Sequence, residues 1–173
     1  AARKMEIAND PANLERRELW YQHDTGPGGR PMVLAEYCGV RDKALPLPDS
    51  LFECEDPWAR GVERGLRAEI YQFETLRDDH VVEPYACAGW HVQASDYGVQ
   101  AVQHQHTADV VLGARRWDAP IKDLDNDFAR LHPRTFSVDR DATFAAKERF
   151  ERLFDGILPV HFRSGYWWTL GMT

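Results

Sequence analysis

Positive charge is scarce in this sequence: 21 lysines and arginines stand against 28 aspartates and glutamates, a formal net charge of -7 over 173 residues. Without a positive field to neutralise phosphates and release counterions, nucleic acid is excluded as the expected partner. Arginines do cluster at Arg60, Arg64 and Arg67 and at Arg115 and Arg116, but acidic residues lie beside each cluster, so these read as solvated faces. Cysteine is also sparse. Cys38, Cys54 and Cys87 are odd in number and form no C-x-x-C pair, which argues against a disulfide framework and a zinc ribbon and leaves buried free thiols. No stretch approaches the roughly 18 to 20 apolar residues of a membrane span, and no signal-peptide core opens the chain, so the expectation is a cytoplasmic protein with no membrane partner.

What is present is a globular composition, 43% hydrophobic and 12% aromatic, too rich in core-forming residues for a disordered tail. The ends are unusual. The chain opens Ala1-Ala2-Arg3-Lys4 and stops inside the apolar run Trp167-Trp168-Thr169-Leu170-Gly171-Met172-Thr173, where a polar, frayed terminus is the norm. The expectation is a piece of something longer, or a chain whose end packs on a partner.

Along the chain, Asp10-Pro11 supplies an N-cap followed by a proline at the first helical position, and the first 25 residues or so read as one amphipathic helix burying Leu14, Leu19 and Trp20. Gly26-Pro27-Gly28-Gly29 ends it as a linker, giving an N-terminal segment 1–29 before a main domain 30–173. Pro31 to Tyr37 is apolar on both alternating faces, as in a strand covered on both sides of a parallel sheet. Asp56-Pro57 repeats the capping device, and Trp58, Val62, Leu66, Ile70 and Phe73 recur at helical spacing, with Arg60, Glu63, Arg64 and Arg67 assigned to water. His80 to Tyr85 reads as a second strand. Residues 86–135 read as an insertion with short strands near Val99 to Val102 and Val110 to Leu112, after which a helix from about Asp139 to Phe154 turns inward Ala142, Ala146, Phe150, Leu153 and Phe154. Asp155-Gly156 stops that helix, and Ile157 to Phe162 reads as a third strand.

Strand, helix and strand in this order is a βαβ pattern, which makes parallel pairing the expectation. Three such strands leave sheet edges that need covering, by the rest of a fold or by self-association. A (β/α)8 barrel takes about 250 residues, so three strands in this chain amount to its N-terminal portion.

An ordered series of residues adds to this pattern. It runs Arg16-Arg17-Glu18-Leu19-Trp20, Arg30-Pro31-Met32-Val33-Leu34, Glu53-Cys54-Glu55-Asp56-Pro57, Ile70-Tyr71, Asp78-Asp79, Glu83-Pro84, Ser95-Asp96-Tyr97-Gly98 and Pro120-Ile121-Lys122-Asp123-Leu124. It ends with Ile157-Leu158-Pro159-Val160 and Tyr166 to Thr173. From about residue 10 onward it resembles uncharacterised members of the uroporphyrinogen decarboxylase-like superfamily. The resemblance implies the N-terminal portion of a TIM barrel. It also implies an activity drawn from that superfamily, which includes tetrapyrrole decarboxylases and corrinoid-dependent methyltransferases that hold zinc through a His-x-Cys pair and a later cysteine. The decarboxylases' Arg-rich N-terminal segment, M-R-Q-A-G-R, is absent here, and the methyltransferases' zinc ligands belong to the C-terminal half of the family chain. The resemblance therefore implies methyl transfer from a small methylated substrate to a corrinoid carrier protein, ahead of decarboxylation of an acidic tetrapyrrole. It implies no cofactor bound by this segment, with zinc and corrinoid belonging to the complete protein. A non-catalytic binding or assembly module is the third reading.

Reactive groups of a barrel sit at the C-terminal ends of its strands and on the loops that follow. By that rule Glu36 and Tyr37 after the first strand, Glu83 and Tyr85 after the second, and Arg163, Tyr166 and Trp167 after the third are expected around one pocket, with Trp90 and His91 on the adjoining loop. Glu36 and Glu83 are the candidate catalytic pair, since two carboxylates held close raise one pKa; the alternative is that each pairs with an arginine or caps a helix. Cys38, Cys87 and His91 lack the regular spacing of a metal site, and His104-Gln105-His106 fits a solvated hairpin, so no metal ligands are assigned. Trp90, Trp167 and Trp168 line an apolar cavity or belong to the core.

Overall fold

The computed structural model describes residues 1–26, 29–35, 47–105 and 115–163. Among them the chain is mixed α/β, with five α-helices and six short strands in three two-stranded sheets. Two compact units divide it, one formed by Ala1–Ala88 with Lys147–Arg163, the other by the described residues of Gly89–Ala146.

In the first unit, the N-terminal segment is two helices, α1 (Ala2–Ala8) and α2 (Pro11–Thr25), where the sequence reads as one. Asp10 causes the break: its backbone is extended and its carboxylate accepts the N–H of Ala12 at 2.8 Å, starting α2 afresh with Pro11 at its first position. The expected inward face is also corrected. Leu14 is exposed, and the fully buried member of α2 is Asn13. Helix α3 (Pro57–Tyr71) is capped by Asp56, whose carboxylate accepts the Ala59 N–H at 2.8 Å. It runs on into a wider π turn, Gln72–Leu76, closed by Arg77 in the left-handed region at φ 54°.

The side of α3 assigned to water instead holds a loop. Arg60, Arg64 and Arg67 set their guanidinium groups over the Phe52 ring at 4.5 to 6.0 Å, while Glu63 accepts the backbone N–H groups of Glu53 and Cys54 at 3.0 to 3.1 Å. Phe52 is thereby buried beneath a fence of cations.

Two expected strands form no ladder where the sequence puts them, because side chains take their backbone groups. Through Ala35 the first is extended coil: the N–H of Val33 goes to Asp79 and that of Ala35 to Asp78, at 2.7 and 2.8 Å. The Arg30 guanidinium also meets the Asp79 carboxylate. In the second, Val82 gives its N–H to Asn13 Oδ1 and receives Asn13 Nδ2 on its carbonyl, both at 2.9 Å, and Pro84 has no N–H to offer. Strand β1 (Ala86–Ala88) starts only after this clamp. It pairs in parallel with β6 (Val160–Phe162), with Ala86 opposite Val160 and Ala88 opposite Phe162. The onset of β6 is late for a similar reason: the N–H groups of Ile157 and Leu158 return to the Phe154 carbonyl at the end of the preceding helix.

One core of this unit joins Ile7, Ala8 and Val82 with Ile70 and Phe73. A second sits under the parallel pair: Ala86, Phe154 and Leu158 pack with Met5, Val62, Leu66, Phe150 and Val160. Leu153, expected inward, is exposed, because the helix turns Phe150 and Phe154 to this core instead.

The second unit holds β2 (Val92–Ala94) antiparallel to β5 (Phe136–Val138), the hairpin β3 (Val102–Gln105) with β4 (Arg115–Asp118), and a one-turn helix α4 (Leu124–Asp127). Strand β3 starts where the expected Val99-to-Val102 strand ends, and the other expected strand, Val110 to Leu112, lies outside the described residues. Helix α5 (Arg140–Phe154) opens in this unit, and its residues from Lys147 belong to the first. Gly98, at φ 84°, cannot be replaced freely, since a Cβ there would stand 2.2 Å from the Arg130 carbonyl oxygen. Among the described residues no helix is long and apolar enough to cross a membrane.

Candidate functional site

Side chains alternate across a strand, so the parallel pair has two chemically distinct faces. Ala86 and Ala88 are buried, and Val160 and Phe162 half-buried. The opposite parity carries Tyr85, Cys87, His161 and Arg163, of which Cys87, His161 and Arg163 are exposed and Tyr85 half-buried. Cys87 and His161 are register partners. The Tyr85 and His161 rings meet edge to face, 4.9 Å between centroids and 61° between planes, and Arg163 Nη1 donates to the Tyr85 hydroxyl at 3.4 Å. The Arg163 N–H bonds the Ala88 carbonyl at 3.2 Å, which extends the ladder by one residue and fixes the backbone of that arginine. Among the described residues neither His161 nor Arg163 has an acidic partner.

Of the residues expected in one pocket, the structure brings Tyr85 and Arg163 together. Glu83 lies before β1 rather than after it, because the strand begins at Ala86, six residues later than the sequence indicates. Its carboxylate pairs with Arg17 at 3.1 Å, the arginine-paired alternative. That pair borders a cleft of about 430 Å³ lined by Trp20, Tyr21, Leu34 and His80. Trp90 and His91 belong to the second unit, where the His91 backbone is tied to Thr143 Oγ1 at 3.0 Å and to the Asp139 N–H at 2.9 Å. Glu36, Tyr37, Tyr166 and Trp167 lie outside the described residues, as do Cys38, His106 and Trp168. His104 bonds Asp118 across the hairpin at 2.7 Å, which lowers the carboxyl pKa of Asp118.

His161 is the member that the strand-end rule missed. Its signal in the sequence was parity, since residues 161 and 163 must share a face of any strand through them. The strongest electrostatic perturbations lie away from this face. Backbone N–H groups of Cys54 and Glu53, with Arg67, hold the Glu63 carboxyl at about 2, and Arg30 with the Val33 N–H does the same for Asp79. Both carboxylates have their oxygens occupied by fixed donors, which suits a structural role better than proton transfer.

Among the described residues no group of three or more His, Cys, Asp or Glu could hold a metal ion. Among the described residues Cys87 and His161 are the metal-donor side chains of this face, two where a catalytic zinc takes three from the protein. Comparison with family models, with curated proteins and with solved structures finds no match to this chain.

Proposed function

We propose that the chain is the N-terminal portion of a uroporphyrinogen decarboxylase-like (β/α)8 barrel, whose reaction is methyl transfer from a small methylated substrate to a corrinoid carrier. One observation carries the reading most directly: β1 and β6 are parallel, their apolar face packs on α3 and α5, and their other face presents tyrosine, cysteine, histidine and arginine. Parallel strands with helices packed on one face make the arrangement of a barrel wall. In this reading Tyr85, His161 and Arg163 bind and orient the substrate, and Cys87 stands beside them. The ordered motif series supports the family, and the missing Arg-rich segment favours methyl transfer over decarboxylation. The deciding experiment incubates the complete protein with cob(I)alamin and small methylated donors and follows methylcobalamin by absorbance. Methylcobalamin formation is expected. Release of carbon dioxide from uroporphyrinogen in its place would overturn methyl transfer while keeping the family.

A second reading, an assembly module, has its own observation. The register Val92 opposite Val138 and Ala94 opposite Phe136 puts four apolar side chains on one face of the β2–β5 pair, and all four are exposed. This reading expects a self-associated species in sedimentation that Phe136→Ser disperses.

A further inference from the structure

We propose that Tyr85, His161 and Arg163 form a carboxylate-binding cluster, so that the substrate of this face is a small organic acid; this rests on the reading of the polar face as the substrate side. In a chain with an excess of negative side chains, most arginines of the first unit have an acidic partner, Arg3, Arg17, Arg30, Arg60, Arg64 and Arg67 among them, while Arg16 lies over the Phe73 ring and Arg77 bonds the Glu74 carbonyl. A cation, Arg163, and an imidazole, His161, share a strand face, and among the described residues no acidic group pairs with either.

Geometry then selects the ligand. The Tyr85 hydroxyl accepts from Arg163 Nη1, so its own proton is free to be donated outward. Arg163 keeps further N–H donors for a planar two-oxygen acceptor, the fork-to-fork match that guanidinium and carboxylate make. The imidazole, held edge-on to the tyrosine ring, adds a third donor on the same side. One guanidinium fork beside a hydroxyl and an imidazole matches the planar two-oxygen edge of a carboxylate better than tetrahedral phosphate.

The test titrates the full chain with sodium acetate, following the guanidinium and imidazole ¹⁵N signals, with sodium phosphate and choline chloride at matched ionic strength as the other arms. Acetate is expected to give saturable shifts at Arg163 and His161 and choline chloride none. Arg163→Gln is expected to weaken acetate binding by about tenfold or more, the scale of a lost charge-assisted hydrogen bond. Tyr85→Phe is expected to weaken it by a smaller factor, with the urea midpoint and far-UV spectrum unchanged. Acetate binding that is indifferent to both variants, or saturation by phosphate at lower concentration than acetate, overturns the proposal. Acetate bound with no methylcobalamin formed counts against the family reading alone. Methylcobalamin formed with no acetate bound counts against the carboxylate alone.

Discussion

Replacing Asn13 by alanine removes three hydrogen bonds from a site that water does not reach. The Asn13 side chain donates to the Ala8 carbonyl at 3.1 Å and the Val82 carbonyl at 2.9 Å, and accepts the Val82 N–H at 2.9 Å. It is fully buried, as are Ala8 and Val82 on either side. Val82 stands outside every strand ladder, so loss of the amide leaves both of its backbone groups without a partner. Each orphaned buried group costs about 1 to 3 kcal/mol, which puts Asn13→Ala at about 3 to 5 kcal/mol with the small cavity included. That is a large part of the roughly 5 to 15 kcal/mol that holds a typical domain together. The assay is urea unfolding followed by far-UV circular dichroism and tryptophan fluorescence. Asn13→Asp is the companion: it keeps an acceptor for the Val82 N–H but turns an oxygen towards two carbonyls, so at neutral pH it is expected to lose at least as much as alanine. An Asn13→Ala protein within about 0.5 kcal/mol of the parent, inside the range of ordinary surface substitutions, would refute the reasoning.

Three further outcomes are expected. Glu63 and Asp79 are held at about 2, below their ordinary values, so their stabilising effect is complete above about pH 5 and is lost as pH falls towards 2. Urea midpoints measured across that range should fall, and Glu63→Gln or Asp79→Asn should flatten the slope; equal slopes in parent and variants would contradict it. Phe52→Ala should cost about 3 kcal/mol in the same assay by emptying the space beneath Arg60, Arg64 and Arg67, and Phe52→Leu should cost less because it keeps most of the buried area. Iodoacetamide at pH 8, read by peptide mass mapping, should modify exposed Cys87 before Cys54, whose thiol pKa is raised by burial and by Glu63; the reverse order would contradict the placement of both.

Much of the helical structure is legible in the sequence, since it depends on neighbours a few residues apart. Asp10-Pro11 and Asp56-Pro57 start α2 and α3 as their chemistry dictates, and the Trp58-to-Phe73 spacing gives the inward stripe of α3. The expected strands fared differently. Apolar alternation marks 31–37 and 80–85 as strand-like, yet their N–H groups go to Asp78, Asp79 and Asn13, partners 43 to 69 positions away that periodicity cannot reveal. The start of the second strand therefore slips to Ala86, which moves Glu83 to the far side of it and into an ion pair. The same non-locality explains why the arginine side of α3 reads as solvated while Phe52 lies beneath it.

The sequence by itself determined the mixed α/β class, the caps of the two long N-proximal helices, and the residue parity that puts His161 and Arg163 on one strand face. Only the tertiary structure decided that β1 and β6 are neighbours, that Tyr85 meets His161 and Arg163 across them, and that Glu83 does not join the group. Helix caps and side-chain parity depend on covalent neighbours and repeat with the backbone, whereas strand pairing is a choice among distant backbone donors and acceptors. Here buried side chains such as Asn13 and Asp79 took several of those donors first, and so fixed where the sheet could begin.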